Sequence, residues 1–220
     1  MRTTIQFWLY LCLFSSKSIF ADTTLQLRTE AERWGTQLNA NDYSLTNSIG
    51  IGHYFDNYFV GFNGTLLDVT VNKKNSVKFY HHDFDISVGT YLDHHFAVFT
   101  GLRYINFVVE YDNEDSVSFE EDTYGPVIGG LAYIKLLNGL IFYSSINASW
   151  LRSTSNLENT NSDVNAKGYS YAAELGFLYQ ISHSFDFNIF SKYQRINLQY
   201  ENGEWQPDFL KSGFSIIYHF

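Results

Sequence analysis

Between residues 169 and 181 the chain reads YSYAAELGFLYQI, with a large or apolar side chain at every second position. Tyr169, Tyr171, Ala173, Leu175, Phe177, Tyr179 and Ile181 share one parity. Ser170, Ala172, Glu174, Gly176 and Gln180 hold the other, with Leu178 the exception. A period of two places the first set on one face of an extended strand, and helical spacing fits it poorly. The same alternation returns along the chain and predicts ten strands, at 23–33, 43–55, 58–71, 79–92, 95–111, 122–136, 140–152, 168–181, 185–199 and 208–220. Tight turns lie at Asp56-Asn57, Asp93-His94-His95, Leu137-Asn138-Gly139 and Ser182-His183-Ser184. Longer polar stretches lie near 34–42, 72–78, 112–121, 153–167 and 200–207.

Each tight turn tests the two faces, because closing it fixes which residues stand opposite one another and opposed residues point the same way. Phe55 pairs with Tyr58 and so Ile51 with Phe62. Leu92 pairs with Phe96 and Val88 with Thr100. Leu136 meets Leu140 and Ile134 meets Phe142, while Ile181 meets Phe185 and Phe177 meets Ile189. All four turns keep the apolar parity on one side of the sheet.

That side needs a non-aqueous neighbour. The last twelve residues, FLKSGFSIIYHF, carry Leu210, Phe214, Ile216, Tyr218 and Phe220 on one parity and Lys211, Gly213, Ser215 and His219 on the other. Aromatic residues make up 19% of the chain, only Pro126 and Pro207 interrupt it, and mean hydropathy is −0.18. High aromatic content, alternation and moderate hydropathy suit a transmembrane β-barrel, whose strands need only about 9–11 residues to cross. The predicted fold is therefore all-β: an antiparallel, up-and-down transmembrane barrel. Short turns on one side and long connections on the other give ten strands with both termini on the turn side. Eight strands are the alternative, because the first strand alternates least clearly.

The front end fits this compartment. In MRTTIQFWLYLCLFSSKSIFAD, Arg2 precedes an apolar run from Ile5 to Phe14, and Ile19-Phe20-Ala21 reads as a cleavage site. Residues 1–21 are read as a signal peptide and 22–220 as one barrel domain. Cys12 is the only cysteine, so the barrel domain would be stable without disulfides. Losing Arg2 and Lys17 leaves 12 basic against 23 acidic residues, a net charge of −11. That balance argues against nucleic acid as a partner.

Charges on the polar face must then turn inward and be neutralised, since an unpaired charge at membrane depth is costly. Turn registers set Asp85 opposite Arg103 and Glu174 opposite Lys192, predicting two ion pairs inside the barrel. If the first strand closes on the last, Glu30 or Glu32 neutralises Lys211 at the seam. Closure is required, because a bare strand edge in hydrocarbon leaves several kcal/mol per unsatisfied backbone group.

The signal segment, the alternating strands and the terminal Tyr218-His219-Phe220 resemble the small outer-membrane β-barrel proteins of Gram-negative bacteria. The resemblance is architectural, covers the whole mature chain and points to no single family. It implies a position in the outer membrane, lipid and lipopolysaccharide as neighbours, and Tyr218 and Phe220 as part of a signal read by the barrel-assembly machinery. It also raises barrel enzymes for comparison. Omptin-type proteases combine Asp and His at the extracellular rim; here His81 and Asp83 lie near a loop end without a second such set. Deacylases place His and Ser together, but Ser182-His183-Ser184 falls in a turn on the periplasmic side. No catalytic residues are assigned.

Two other clusters bear on ligands. The stretch YDNEDSVSFEED carries Asp112, Glu114, Asp115, Glu120, Glu121 and Asp122, oxygen donors suited to a hard cation such as Ca²⁺, though their spacing matches no defined calcium loop. His81, Asp83 and Asp85 share one face of YHHDFD, but alternate strand residues stand about 6.6 Å apart, too far for one small ion. No phosphate-binding glycine loop, zinc pattern or nucleophile elbow occurs, and no cofactor is assigned. Mixed charges around the wall favour a filled, polar interior. The expected role is structural or exercised through the extracellular loops, with a narrow channel for small solutes as the alternative.

Overall fold

The computed structural model describes residues 23–35, 43–71, 77–111, 118–157, 160–201 and 203–220. The proposed signal segment at 1–21 lies outside them. Eleven strands follow one another: β1 Thr23–Gly35, β2 Tyr43–Phe55, β3 Tyr58–Val71, β4 Val77–Tyr91, β5 Phe96–Tyr111, β6 Ser118–Leu137, β7 Leu140–Leu157, β8 Thr160–Gln180, β9 Phe185–Tyr200, β10 Gly203–Trp205 and β11 Asp208–His219. From β1 to β9 each pairs antiparallel with the next. β9 then pairs with β10 and β11, and β11 returns to β1.

The sheet thus closes on itself. β10 and β11 are two pieces of one stave along β9, parted at Gln206-Pro207. Proline has no N–H to give the ladder, and there Ile196 N–H donates to the Pro207 carbonyl at 3.0 Å. Ten staves result, and the eight-stranded alternative is set aside.

The hairpins keep the expected faces: Phe55 opposes Tyr58, Val88 opposes Thr100 and Phe177 opposes Ile189. At the β6–β7 turn the register differs in detail. Leu137, not Leu136, stands opposite Leu140, leaving Asn138-Gly139 as a two-residue turn with Gly139 at φ 81°. An Asn-Gly pair favours that tighter loop. The register shift between Lys135 and Leu137 absorbs the extra residue, so Ile134 still meets Phe142. At Asp93 the carboxylate accepts backbone N–H groups of His95 at 2.6 Å and Phe96 at 2.9 Å, which fixes that turn.

Polarity is inverted relative to a water-soluble domain. Leu175, Phe177, Ile189, Phe214 and Ile216 stand exposed on the outer wall, whereas Ser170, Gln194, Lys211 and Ser215 are buried inside. An outward apolar belt around a polar interior is the arrangement a bilayer demands.

The stretches expected as loops near 112–121 and 153–167 are in part strand. β6, β7 and β8 have 20, 18 and 21 residues, far more than a crossing needs, and they continue the ladder beyond the belt. Serine, threonine and asparagine dominate there and supply no apolar period. The strands persist because their backbone groups pair with one another, a cause the alternation does not display.

Candidate functional site

The inward parity of the middle of the barrel gathers charge from six strands. Arg28, Glu30 and Glu32 come from β1, His81, Asp83 and Asp85 from β4, Arg103 from β5, Glu174 from β8, Lys192 from β9 and Lys211 from β11. The seam is the most completely buried part. Lys211 stands opposite Glu32 in the β1–β11 register, with Nζ 3.0 Å from Glu32 and 3.7 Å from Glu30. Hydroxyls of Thr46 and Ser48 donate to the same carboxylates at 3.2 and 3.3 Å. The question of Glu30 or Glu32 resolves into both.

The other two expected pairs are adjacent in register but exchange partners. Asp85 does oppose Arg103, yet the guanidinium forks onto Asp83, one strand position pair away, through Nε at 2.9 Å and a second contact from Nη2. Asp85 instead accepts from Asn63 at 3.1 Å. Diagonal neighbours on a strand pair lie within reach of a long side chain, and two parallel N–H donors match a carboxylate better than one.

Glu174 does oppose Lys192, but its ion pair is with Arg28, at 2.7 Å. Arg28 reaches past the two staves between β1 and β8 and rests over the Phe190 ring, 3.9 Å from its centroid. Glu174 also accepts from the Tyr143 hydroxyl at 2.7 Å. Lys192 lies between Glu174 on β8 and Lys211 on β11 and forms no ion pair within 4 Å among the described residues. Hairpin register reveals neighbours on one strand pair. It does not reveal a chord across a closed cylinder.

Toward the end opposite the tight turns the inward face becomes apolar. Ile105, Phe107, Leu151, Ala166, Ile196, Leu198 and Phe209 pack together from β5, β7, β8, β9 and β11, and the largest of them are almost wholly buried. His81 packs against both Phe107 and Phe209, with centroids 4.5 and 5.4 Å away, and those two rings lie 6.2 Å from each other. Trp205 meets Phe107 edge-on at 5.0 Å. Above them Glu121 accepts from Ser153 at 2.5 Å and from Tyr200. Near the turn end a second aromatic group, Tyr54, Phe59, Tyr91 and Tyr133, forms ring contacts of 5.5 to 6.4 Å. Between the two layers lies a cavity of about 230 Å³, lined among others by Arg28, Asp83, Asp85, Arg103, Glu174 and Lys192.

The apolar layer is absent from the sequence expectations, although a signal for it exists. In INFVVEY apolar residues occupy both parities, and in RINLQY they move to the inward one while Arg195, Asn197 and Gln199 take the outward one. Ile105, Phe107, Ile196 and Leu198 thus break the pattern on the polar side.

The acidic stretch is not one loop. Asp112, Glu114 and Asp115 lie outside the described residues, and Glu120, Glu121 and Asp122 belong to β6. Strand alternation sends Glu121 inward, while Glu120 and Asp122 point out and both accept from Asn106, at 3.3 and 3.0 Å. At the other end Tyr218 stands opposite Leu25 and packs against Phe185 at 5.0 Å and Phe220 at 4.7 Å. Phe220 N–H donates to the Thr23 carbonyl at 3.1 Å.

No protein-family model matches the chain, and no curated protein is similar to it in sequence. Its structure is similar to that of the outer-membrane protease OmpT from Escherichia coli, with a TM-score of 0.64 and 9% identity over 94% of this chain and 99% of that one. The translocator domain of the autotransporter NalP from Neisseria meningitidis aligns at 0.55 with 8% identity, over 100% and 95% of the two chains. Neisserial surface protein A aligns at 0.52 with 10% identity, over 90% and 97%. Identities this low carry the fold and nothing of the chemistry. Closed, antiparallel and inverted in polarity, this chain folds as a ten-stranded β-barrel similar in architecture to these outer-membrane proteins.

Proposed function

We propose that the chain is an integral outer-membrane protein whose interior is closed, and that it acts as a structural element or through its extracellular face. The observation that carries this reading is the apolar layer around Phe107 and Phe209. Two large rings and three branched aliphatics, each 2% exposed or less, fill the inward face at one height. Ions do not cross a packed apolar layer without its displacement. The ion pairs beneath it support the same reading, because fixed charges that neutralise one another hold the wall together and leave little field for a passing solute.

A second reading, a narrow channel for small solutes, draws on the cavity of about 230 Å³ and on Lys192, which has no ion pair among the described residues. Planar-bilayer recording on refolded protein separates the two. A closed interior gives no steady conductance until Phe107→Ala and Phe209→Ala are combined, whereas steady conductance of the unaltered chain overturns closure.

On this reading the chain carries out no reaction. Asp83 is taken by Arg103, and His81 is fully buried against Phe107 and Phe209 with Nδ1 3.8 Å from Glu32. Incubation with peptides and with lipid A is expected to leave both intact, and turnover of either refutes that statement.

A further inference from the structure

The outer wall carries a feature that the interior does not explain. On the outward parity Arg152 of β7 stands directly opposite Lys167 of β8, and both are exposed. Opposed residues on neighbouring strands have Cβ atoms about 5 Å apart, and like charges so placed repel. Neither cation has a carboxylate within ion-pair distance among the described residues. The nearest outward acid on β6, Asp122, is one row farther from the belt and already accepts from Tyr104 at 2.5 Å and Asn106 at 3.0 Å. Among the described residues nothing relieves the repulsion, which suits an anion from outside.

Below this pair the wall is hollow. A concavity of about 820 Å³ runs down from Arg152 and Lys167, lined also by Leu102, Tyr104, Tyr124, Trp150 and two glycines, Gly125 and Gly168. The backbone draws in because two glycines allow it. A Cβ at Gly125 would lie 1.7 Å from the Trp150 carbonyl oxygen, and one at Gly168 would lie 1.8 Å from that of Asn197. The β6–β7 pairing also leaves out Gly125 and Pro126. The groove therefore has an apolar body, an aromatic rim at the level where tyrosine and tryptophan mark a membrane interface, and two unneutralised cations above that rim.

We infer that this groove binds a phosphorylated lipid of the outer leaflet, acyl chains along the apolar hollow and a phosphate between Arg152 and Lys167. The inference rests on the outer-membrane reading and deepens it by giving the partner lipid a place. Charge complementarity selects the head group: a phosphate accepts hydrogen bonds on several oxygens and can satisfy a guanidinium and an ammonium together. The groove selects the body, because a soluble anion would leave the apolar hollow unused. The position at the end where β6, β7 and β8 extend beyond the belt commits the occupant to the outer leaflet, hence to lipid A of lipopolysaccharide.

The test is native mass spectrometry of the refolded, full barrel in detergent with added lipid A, its dephosphorylated form, or phosphatidylglycerol. The double variant Arg152→Gln, Lys167→Gln is run beside it, with Lys135→Gln as a control cation away from the groove. The expected result is retention of lipid A by the unaltered chain and by Lys135→Gln. The double variant and the dephosphorylated lipid should each bind at least about tenfold more weakly, and phosphatidylglycerol more weakly than lipid A. Equal binding by the double variant, or by dephosphorylated lipid A, overturns the site; equal binding of phosphatidylglycerol overturns the committed occupant. Heat-modifiable migration of every variant and fractionation with the outer membrane are scored in parallel. A barrel that fractionates elsewhere refutes the outer-membrane reading itself, whereas correct fractionation with unaltered lipid binding refutes only the groove.

Discussion

Replacing Lys211 by methionine should destabilise the barrel more than any single loss of packing at the same place. Lys211 is 2% exposed, and its ammonium lies between two carboxylates that are 3% and 0% exposed. Methionine keeps most of the stem's volume, so cavity formation contributes little. The cost is electrostatic, since Glu30 and Glu32 lose the ammonium while their desolvation persists. Breaking a buried pair by removing one partner costs about 3–5 kcal/mol. The hydroxyls of Thr46 and Ser48 remain as donors, which places the expected loss toward the lower part of that range.

The measurement is reversible urea unfolding of the refolded protein in lipid vesicles, followed by tryptophan fluorescence. Adding Glu32→Gln to Lys211→Met should recover most of the loss, because one uncompensated charge is removed and Glu30 keeps Ser48. A loss below about 1 kcal/mol, the scale of a solvated surface pair, would mean that water reaches the seam and that the inverted polarity is wrongly drawn there. Failure of the second substitution to restore stability would locate the damage in packing and refute the electrostatic cause.

Reversing Glu174 to lysine should be harmful alone and better rescued by Arg28→Glu than by Lys192→Glu, since the 2.7 Å ion pair is with Arg28; the opposite order of rescue in the same unfolding assay would restore the cross-strand pairing. Leu175→Arg, midway along the outward belt of β8 and 54% exposed, should cost about 2–4 kcal/mol, and an unchanged unfolding curve in vesicles would show that this face does not meet hydrocarbon. Phe107→Ala should cost about 3–5 kcal/mol, as expected for a buried aromatic truncated in a packed layer, and a loss under about 1 kcal/mol would show that the ring is loosely held.

Much of the fold was legible because strand alternation is a local property. The parity of residues 169–181 and the four tight turns were enough to orient the faces and to place Asp85 beside Arg103 and Glu174 beside Lys192 in register. The partners themselves were not legible. Arg28 finds Glu174 across intervening staves, 146 residues away in the chain, and no hairpin count connects them. The apolar layer was half legible: Phe107 and Ile196 stood visibly on the wrong parity, but whether such residues meet depends on the relative height of strands joined by long connections. β6, β7 and β8 ran past their expected ends for the same reason, because their extensions are held by pairing and not by apolar pattern.

By itself, then, the amino-acid order determined that the chain forms amphipathic strands, which face of each is apolar, and that such strands must close on one another to satisfy their backbone groups away from water. Those properties depend on residues one, two or a few positions apart. The same order also pointed to ten strands. The choice of ten over eight, the change of ion-pair partners, the packing of His81 against Phe107 and Phe209, and the meeting of Arg152 with Lys167 above a hollow were decided by tertiary structure. The ring packing and the ion pairs depend on curvature and stagger around the cylinder, and the Arg152–Lys167 meeting on how far the β7–β8 ladder runs past the apolar pattern, none of which local alternation displays.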